Sequence, residues 1–139
     1  MARLMAWHVD YFRATPSERG RSAITEEGDA VDVGDALLVF ISFEKSDEAS
    51  ESRILDRTYN ELSSLASQLK VKTIVLNPFA HLFGELANPQ TAAKMTNELY
   101  EMLKSRGNFD AHKMSFGLFY EIELKAKGHR LSRVSRIIT

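Results

Sequence analysis

The chain has no cysteine among its 139 residues and no long apolar run. Without cysteine, disulfide bonds, thiolate-bound zinc and cysteine nucleophiles are excluded together. A membrane-spanning helix needs roughly 18 consecutive apolar residues, and the first eight residues turn polar too early for a secretory signal. We therefore expect one globular domain over residues 1–139, located in the cytosol and without membrane contact.

A large charge of one sign is also lacking, since the net charge is −1. The surface as a whole is therefore not a general electrostatic match for nucleic acid. The charges are unevenly distributed, because residues 26–35 are acidic and the last part of the chain is basic. Both clusters are consistent with ordinary solvent-exposed charge. The alternative interpretation is that the basic cluster forms a local patch that binds a few phosphates. The basic cluster consists of Lys125, Lys127, His129, Arg130, Arg133 and Arg136.

Several catalytic and cofactor motifs are missing as well. There is no Gly-x-Ser-x-Gly nucleophile elbow, no phosphate-binding loop and no dinucleotide glycine fingerprint. The four histidines stand at none of the spacings that metal ligands adopt. We therefore expect neither a metal site nor a cofactor, and a serine hydrolase of the elbow type is excluded.

The hydrophobic pattern that is present predicts an α/β domain with a mixed β-sheet packed with two main helices. A first strand is expected at Arg3–Val9, followed by a hairpin or wide loop over Asp10–Thr25. Ala36–Phe43 is a continuous apolar run, typical of a central strand covered on both faces. Further strands are expected at Thr73–Leu76, Phe109–Lys113 (an edge strand), Leu118–Lys125 and Val134–Ile138.

Two helices carry the clearest periodicity. In Ser50–Lys70, apolar residues recur at steps of three and four, which places them on one face. The second helix has marked ends: Asn88 can cap its start, Pro89 suits its first turn, and Gly107 can adopt the left-handed conformation that ends it.

The segment after the Thr73–Leu76 strand is the strongest candidate for a site. Pro78 fixes a turn there, and His81 follows at the carboxyl edge of the sheet, where α/β proteins bind ligands. His81 is therefore the best single catalytic candidate, although it could equally cap the short Phe79–Ala87 turn. A second strand-and-loop segment with a small residue lies at Phe116-Gly117.

Five segments in order along the chain carry a resemblance to a known family. They are His8–Tyr11, Phe40–Lys45, Asn77–Leu82 with Glu85–Ala87 and Pro89, Phe116-Gly117, and Lys127–His129 with Leu131 and Ser135-Arg136. Together these segments resemble the editing domain that precedes the catalytic core in archaeal threonyl-tRNA synthetases. That family shares its fold with the D-aminoacyl-tRNA deacylases, so the resemblance implies a D-aminoacyl-tRNA deacylase-like sheet.

The resemblance implies a hydrolase that removes serine from tRNA(Thr) and leaves threonine in place. A synthetase pocket that accepts threonine rejects serine by only roughly 1–3 kcal/mol, so a second site must sort by size. The family likeness puts the wall that excludes the threonine methyl at Pro78, Phe79 and Ala80, with Phe43 opposite. It lays the 3′-terminal adenosine along Ile41, Ser42 and Phe43, with Phe116-Gly117 closing the pocket.

The chain departs from the family at two polar positions. A lysine is common at the position of Tyr120, and an acidic residue at that of Arg133. The resemblance still assigns catalytic roles to His81, Tyr120 and Arg133, but tyrosine and arginine titrate far above pH 7 and are poor general bases. We therefore expect backbone N–H groups to stabilise the oxyanion and the ribose 2′-hydroxyl of the substrate to position the attacking water.

Three other functions stay open at this point: a D-aminoacyl-tRNA deacylase, a non-catalytic tRNA-binding or dimerisation module, and a ligand-binding domain with no RNA role. The expected partners are the tRNA(Thr) 3′ acceptor end and the catalytic part of a threonyl-tRNA synthetase, in cis or in trans. The family also implies a homodimer, with Ala36–Phe43 or the aromatic residues near Tyr11 as candidate interfaces.

Overall fold

One mixed sheet of seven strands forms the centre of the computed structural model, which describes residues 1–19, 28–80, 82 and 84–139. The helices α1 (Glu51–Leu69) and α2 (Pro89–Ser105) cover one face of the sheet, and a 3₁₀ turn at Lys45–Ala49 precedes α1. The prediction of an α/β domain with a mixed sheet and two main helices is confirmed. The strands are β1 (Ala2–Arg19), β2 (Val31–Val33), β3 (Ala36–Ser42), β4 (Thr73–Pro78), β5 (Asp110–Lys113), β6 (Leu118–Ala126) and β7 (Arg133–Ile138).

The long strand β1 organises the sheet because it pairs with four others, all antiparallel. Its first half lies between β3 and β7, and its second half pairs with β6 along most of its length and with β2 at three positions. β3, β4 and β5 follow outward as parallel neighbours. The carboxyl ends of β3 and β4 therefore meet at one edge of the sheet, and β5 is the edge strand that the sequence predicts.

A register shift in β1 between Val9 and Tyr11 lets one strand serve two hydrophobic clusters. Before the shift, even-numbered residues such as Leu4 pack under the helices; beyond it, Phe12 and Ala14 pack with Val9 in a second cluster on the opposite face. The extra residue in β1 changes which side chains face the second cluster, from odd-numbered residues such as Val9 to even-numbered residues such as Phe12. The hairpin or loop predicted for residues 10–25 is therefore wrong over residues 10–19, which continue β1, and residues 20–25 lie outside the described part.

Pro16 does not stop β1, although it motivated the predicted loop. It lies at a second register shift, between Pro16 and Glu18, and β2 contacts β1 only at Phe12–Ala14. Proline lacks a backbone N–H and is tolerated in a strand where one side is unpaired or bulged. Proline favours turns, but the pairing of β1 with β6 overrides that preference at Pro16.

The two helices form as predicted. The apolar face of α1 is buried against the sheet, and Asn88 caps α2, where its side chain accepts a hydrogen bond from the Thr91 N–H at 2.9 Å. The end of α2 differs from the prediction, because Asn108 takes the left-handed conformation (φ 52°) in place of Gly107. Asparagine is the residue that tolerates this conformation best after glycine. Gly107 instead packs against the Phe109 ring, which a Cβ atom would approach to 2.5 Å.

Candidate functional site

A cavity of about 390 Å³ opens at the carboxyl ends of the parallel strands β3 and β4. Its size falls in the range of small-molecule sites, and the edge of the sheet where parallel strands end is the usual place for them. Three parts of the chain line it: the ends of the two strands with the turn after β4, the first turns of α2 with the residues before it, and the loop between β5 and β6. The lining residues are Ile41, Ser42, Phe43, Asn77, Pro78, Phe79, Ala80, Leu86, Ala87, Pro89, Ala92, Thr96, Ser115, Phe116, Gly117, Leu118 and Tyr120.

The end of β3 forms the back of the cavity, and main-chain hydrogen bonds fasten the neighbouring segments to it. The Phe79 N–H donates to the Ile41 carbonyl at 2.9 Å, and the Ala87 N–H donates to the Phe43 carbonyl at 3.1 Å. The Phe79 ring also meets the buried Phe40 ring edge to face, with centroids 5.3 Å apart. This wall is therefore fixed both through its backbone and through an aromatic contact worth about 0.5–1.5 kcal/mol.

The loop between β5 and β6 closes the opposite side. The Met114 N–H donates to the Leu76 carbonyl at 2.8 Å and so ties the start of the loop to β4. Gly117 has φ 84°, a left-handed conformation that favours glycine. Across the loop, the Tyr120 hydroxyl accepts a hydrogen bond from the Ser115 N–H at 2.8 Å. The Tyr120 side chain thus stabilises the loop that closes this side of the cavity.

The described lining residues include no carboxylate, lysine, arginine or histidine. Their polar groups are hydroxyls and an amide, which donate or accept hydrogen bonds without titrating near pH 7. These groups can orient a ligand and hold a water molecule. These side-chain donors and the backbone N–H groups nearby can stabilise negative charge that develops on a ligand.

The structure brings most of the predicted site residues together around this cavity. Tyr120 and all of the predicted substrate-binding residues line it: Ile41, Ser42, Phe43, Pro78, Phe79, Ala80, Phe116 and Gly117. Arg133 does not, because it is exposed on β7 with its guanidinium 6.0 Å from the centre of the Trp7 ring. His81 lies outside the described residues. The roles given to all these side chains stay predictions.

Sequence reasoning did not assign a site role to the part of the cavity that α2 supplies. Ala92 and Thr96 are one helical turn apart on the first turns of α2 and face the cavity. The sequence signal for this contribution was a small residue followed four positions later by a hydroxyl-bearing residue, on a helix face that is otherwise apolar. Patterning alone cannot separate it from ordinary core packing.

Two of the motif segments meet away from the cavity. The His8 and His129 rings approach to 2.9 Å (Nδ1 to Nε2), the other His8 nitrogen lies 3.0 Å from the Asp35 carboxylate, and the Lys127 ammonium lies 2.5 Å from the Asp10 carboxylate. The hydrogen bond from Lys127 holds the pKa of the Asp10 carboxyl below its usual range and raises the pKa of Lys127. This network joins β1 to the loop before β7, so we assign it a structural role.

Two features are absent from the described part of the chain: a cluster of metal-ligating side chains and a helix that could span a membrane. Within residues 1–19, 28–80, 82 and 84–139, no three histidine, aspartate or glutamate side chains are close enough together to hold a metal ion. Among the same residues, no helix is long and apolar enough to cross a membrane.

Comparison with known proteins gives a consistent result. The family model described as the archaea-specific editing domain of threonyl-tRNA synthetase matches residues 2–138. The threonine–tRNA ligase of Thermococcus onnurineus (strain NA1) is 34% identical and that of Pyrococcus furiosus is 33% identical, each over 98% of this chain and 22% of the relative. The threonine–tRNA ligase of Methanococcus maripaludis (strain C7) is 34% identical over 95% of this chain and 21% of its own length. The chain thus spans about a fifth of these relatives.

Proposed function

Because the chain belongs to the family of archaea-specific editing domains of threonyl-tRNA synthetase, we propose that it hydrolyses the ester of L-seryl-tRNA(Thr) and spares L-threonyl-tRNA(Thr). The observation that carries this proposal is the cavity whose wall is built from the end of β3 and the turn after β4. A D-aminoacyl-tRNA deacylase would instead accept the ester of a D-amino acid, so the stereochemistry of the accepted substrate distinguishes the two activities.

The selection against threonine is steric. Serine and threonine differ by one methyl group, and an editing cavity that fits a hydroxymethyl group has to reject one more carbon. The wall consists of Pro78, Phe79 and Ala80. It resists displacement because the Phe79 N–H is hydrogen-bonded to the Ile41 carbonyl and the Phe79 ring packs on Phe40. Forcing an extra methyl group into a well-packed site costs about 1–3 kcal/mol, which corresponds to roughly 5- to 150-fold in rate.

The chemistry relies on the substrate and the backbone. The terminal adenosine lies along Ile41–Phe43, and the scissile carbonyl points to backbone N–H groups of the turn after β4 and of the Gly117 loop. These donors stabilise the oxyanion, and the ribose 2′-hydroxyl positions the attacking water. Since the Tyr120 hydroxyl accepts a hydrogen bond from Ser115, its own proton is available to orient the aminoacyl group or the water.

Arg133 acts at a distance in this proposal. Its guanidinium stacks on Trp7, the Trp7 ring meets Phe40 at 5.5 Å between centroids, and Phe40 supports Phe79. Arg133 therefore influences the wall through this row of aromatic rings. His81 follows Ala80 directly in the sequence and is proposed as a supporting group whose loss costs less than loss of the 2′-hydroxyl.

The proposed partners are the 3′ acceptor end of tRNA(Thr) and the catalytic part of a threonyl-tRNA synthetase, in cis or in trans, within the cytosol. We also propose a homodimer. The apolar strand β3 is not available as its interface, because all seven residues are buried inside this chain's own sheet. A better candidate is β6, where Phe119 and Ile122 are 56% and 46% exposed.

Deacylation assays with this chain alone test the proposal. L-seryl-, L-threonyl- and D-seryl-tRNA(Thr) are compared at equal concentrations, and rapid release of L-serine alone is expected. Release of L-serine and L-threonine at equal rates contradicts the size selection, and release of D-serine alone identifies a D-aminoacyl-tRNA deacylase. Tight binding of seryl-tRNA without release favours the non-catalytic tRNA-binding module.

A further inference from the structure

Gly28 packs against the hydroxyl end of Tyr120. A Cβ atom built on Gly28 would lie 2.6 Å from the Tyr120 hydroxyl oxygen, 2.6 Å from Leu118 Cδ1 and 2.8 Å from Ser115 Oγ. All three distances are shorter than real Cβ atoms adopt. Leu118, Ser115 and Tyr120 line the cavity, whereas Gly28 lies far from them in sequence, three residues before β2.

We propose that Gly28 is a positioning residue for Tyr120: the absence of a side chain at this position allows the tyrosine hydroxyl to reach the Ser115 N–H and present its own proton to the cavity. The inference rests on the proposed function, because it concerns a group of the same site. It adds a residue that does not line the cavity and that the sequence comparison does not assign.

The requirement for glycine is one of space. Of the three contacts, Ser115 Oγ and Leu118 Cδ1 can move by rotation about a single bond. The Tyr120 hydroxyl can move only with its whole ring, which packs against the second hydrophobic cluster. An added methyl group that displaces the Tyr120 ring breaks the 2.8 Å hydrogen bond from the Ser115 N–H, whereas a shift of the Gly28 backbone alone would leave that bond in place.

Gly34 provides a matched control. It lies just after β2, and a Cβ atom there would meet nothing within 4 Å. Gly28→Ala and Gly34→Ala change the chain by the same atoms and reduce its unfolded-state freedom equally. Only the first places an atom against Tyr120.

The first measurement does not depend on activity. Exchange of the Ser115 amide proton, followed by NMR, is expected to accelerate about tenfold in Gly28→Ala and in Tyr120→Phe, since each removes one hydrogen bond, and to stay at the wild-type rate in Gly34→Ala. Wild-type exchange of the Ser115 amide in Gly28→Ala overturns the proposal. A thermal unfolding scan of each variant confirms that the fold is retained.

The second measurement is a double-mutant cycle on deacylation of L-seryl-tRNA(Thr). Gly28→Ala and Tyr120→Phe are each expected to lower kcat about tenfold with KM within twofold of wild type, because each removes the same oriented hydroxyl. The double variant is expected to equal Tyr120→Phe alone, since the phenylalanine has no oxygen to displace. A loss of kcat near a hundredfold in the double variant, the product of the two single losses, contradicts the proposal.

The two measurements separate the inference from the function on which it rests. If the wild-type chain releases no serine but the Ser115 amide responds to Gly28→Ala, the proposed function fails and the positioning of Tyr120 stands. If serine is released and the amide does not respond, the proposed function stands and Gly28 has no positioning role.

Discussion

Truncation of Phe79 is predicted to convert the proposed editing site into one that accepts both serine and threonine. The Phe79 ring lines the cavity, is half-buried, and rests edge to face on Phe40. Phe79→Ala removes the ring but keeps the backbone N–H that bonds to Ile41. Space therefore opens where the threonine methyl group would collide with the wall, while the main-chain donors stay in place.

The magnitudes follow from the burial of the ring. Relief of the methyl collision recovers about 1–3 kcal/mol for the threonyl ester, so the ratio of seryl to threonyl deacylation is expected to fall from roughly 5–150 to about 1–3. Loss of half the apolar burial of a phenylalanine and of one aromatic pair destabilises the fold by about 2 kcal/mol. Phe109→Ala is the control, since Phe109 is also half-buried but packs on the cluster under the helices and does not line the cavity.

The assay compares kcat/KM for L-seryl- and L-threonyl-tRNA(Thr) in both variants and in the wild type, with urea unfolding to confirm that each variant is folded at the assay temperature. The wild-type ratio is expected in Phe109→Ala. A folded Phe79→Ala variant that discriminates as well as the wild type refutes the reasoning that this wall excludes the methyl group.

Three further predictions can be tested, the first from the proposed chemistry and the other two from the structure. A seryl-tRNA whose terminal ribose lacks the 2′-hydroxyl should lose nearly all turnover in single-turnover assays, whereas His81→Ala should lose less; full activity on the deoxy substrate removes the substrate-assisted step. Lys127 lowers the pKa of Asp10, and Asp10 raises the pKa of Lys127. The ion pair therefore stabilises the fold between about pH 4 and pH 10. This stabilisation is lost below that range as Asp10 is protonated, and above it as Lys127 is deprotonated. Urea unfolding midpoints of Asp10→Asn should therefore lie below wild type at pH 7 and converge with it near pH 2; a constant difference argues against the linkage. Asn88→Ala should cost about 1 kcal/mol of unfolding free energy through loss of the helix cap, and an unchanged urea midpoint contradicts that role.

Local patterns predicted the helices because their signals are local. The apolar face of α1 and the Asn88 cap of α2 depend on residues three or four apart, which the sequence displays directly. The buried strand β3 was equally visible as a continuous apolar run. Elements that depend on a distant partner were less visible. The extension of β1 past Pro16 is the clearest case, since it pairs with β6, about a hundred residues later in the chain.

The site shows the same division. The strand ends and the loops that line the cavity could be predicted because a strand followed by a turn predicts the sheet edge on which ligands bind. The contribution of Ala92 and Thr96 and the contact between Gly28 and Tyr120 depend on how distant segments pack. The placement of Arg133 on Trp7, outside the cavity, likewise follows from the register of β7 on β1, which no local pattern encodes.

The most direct test of the size selection measures binding without chemistry. Non-hydrolysable 3′-amide analogues of seryl- and threonyl-adenosine are titrated into this chain by calorimetry. The account predicts that the seryl analogue binds at least fivefold more tightly, as expected for a collision of about 1 kcal/mol or more. Equal affinity for the two analogues would contradict it.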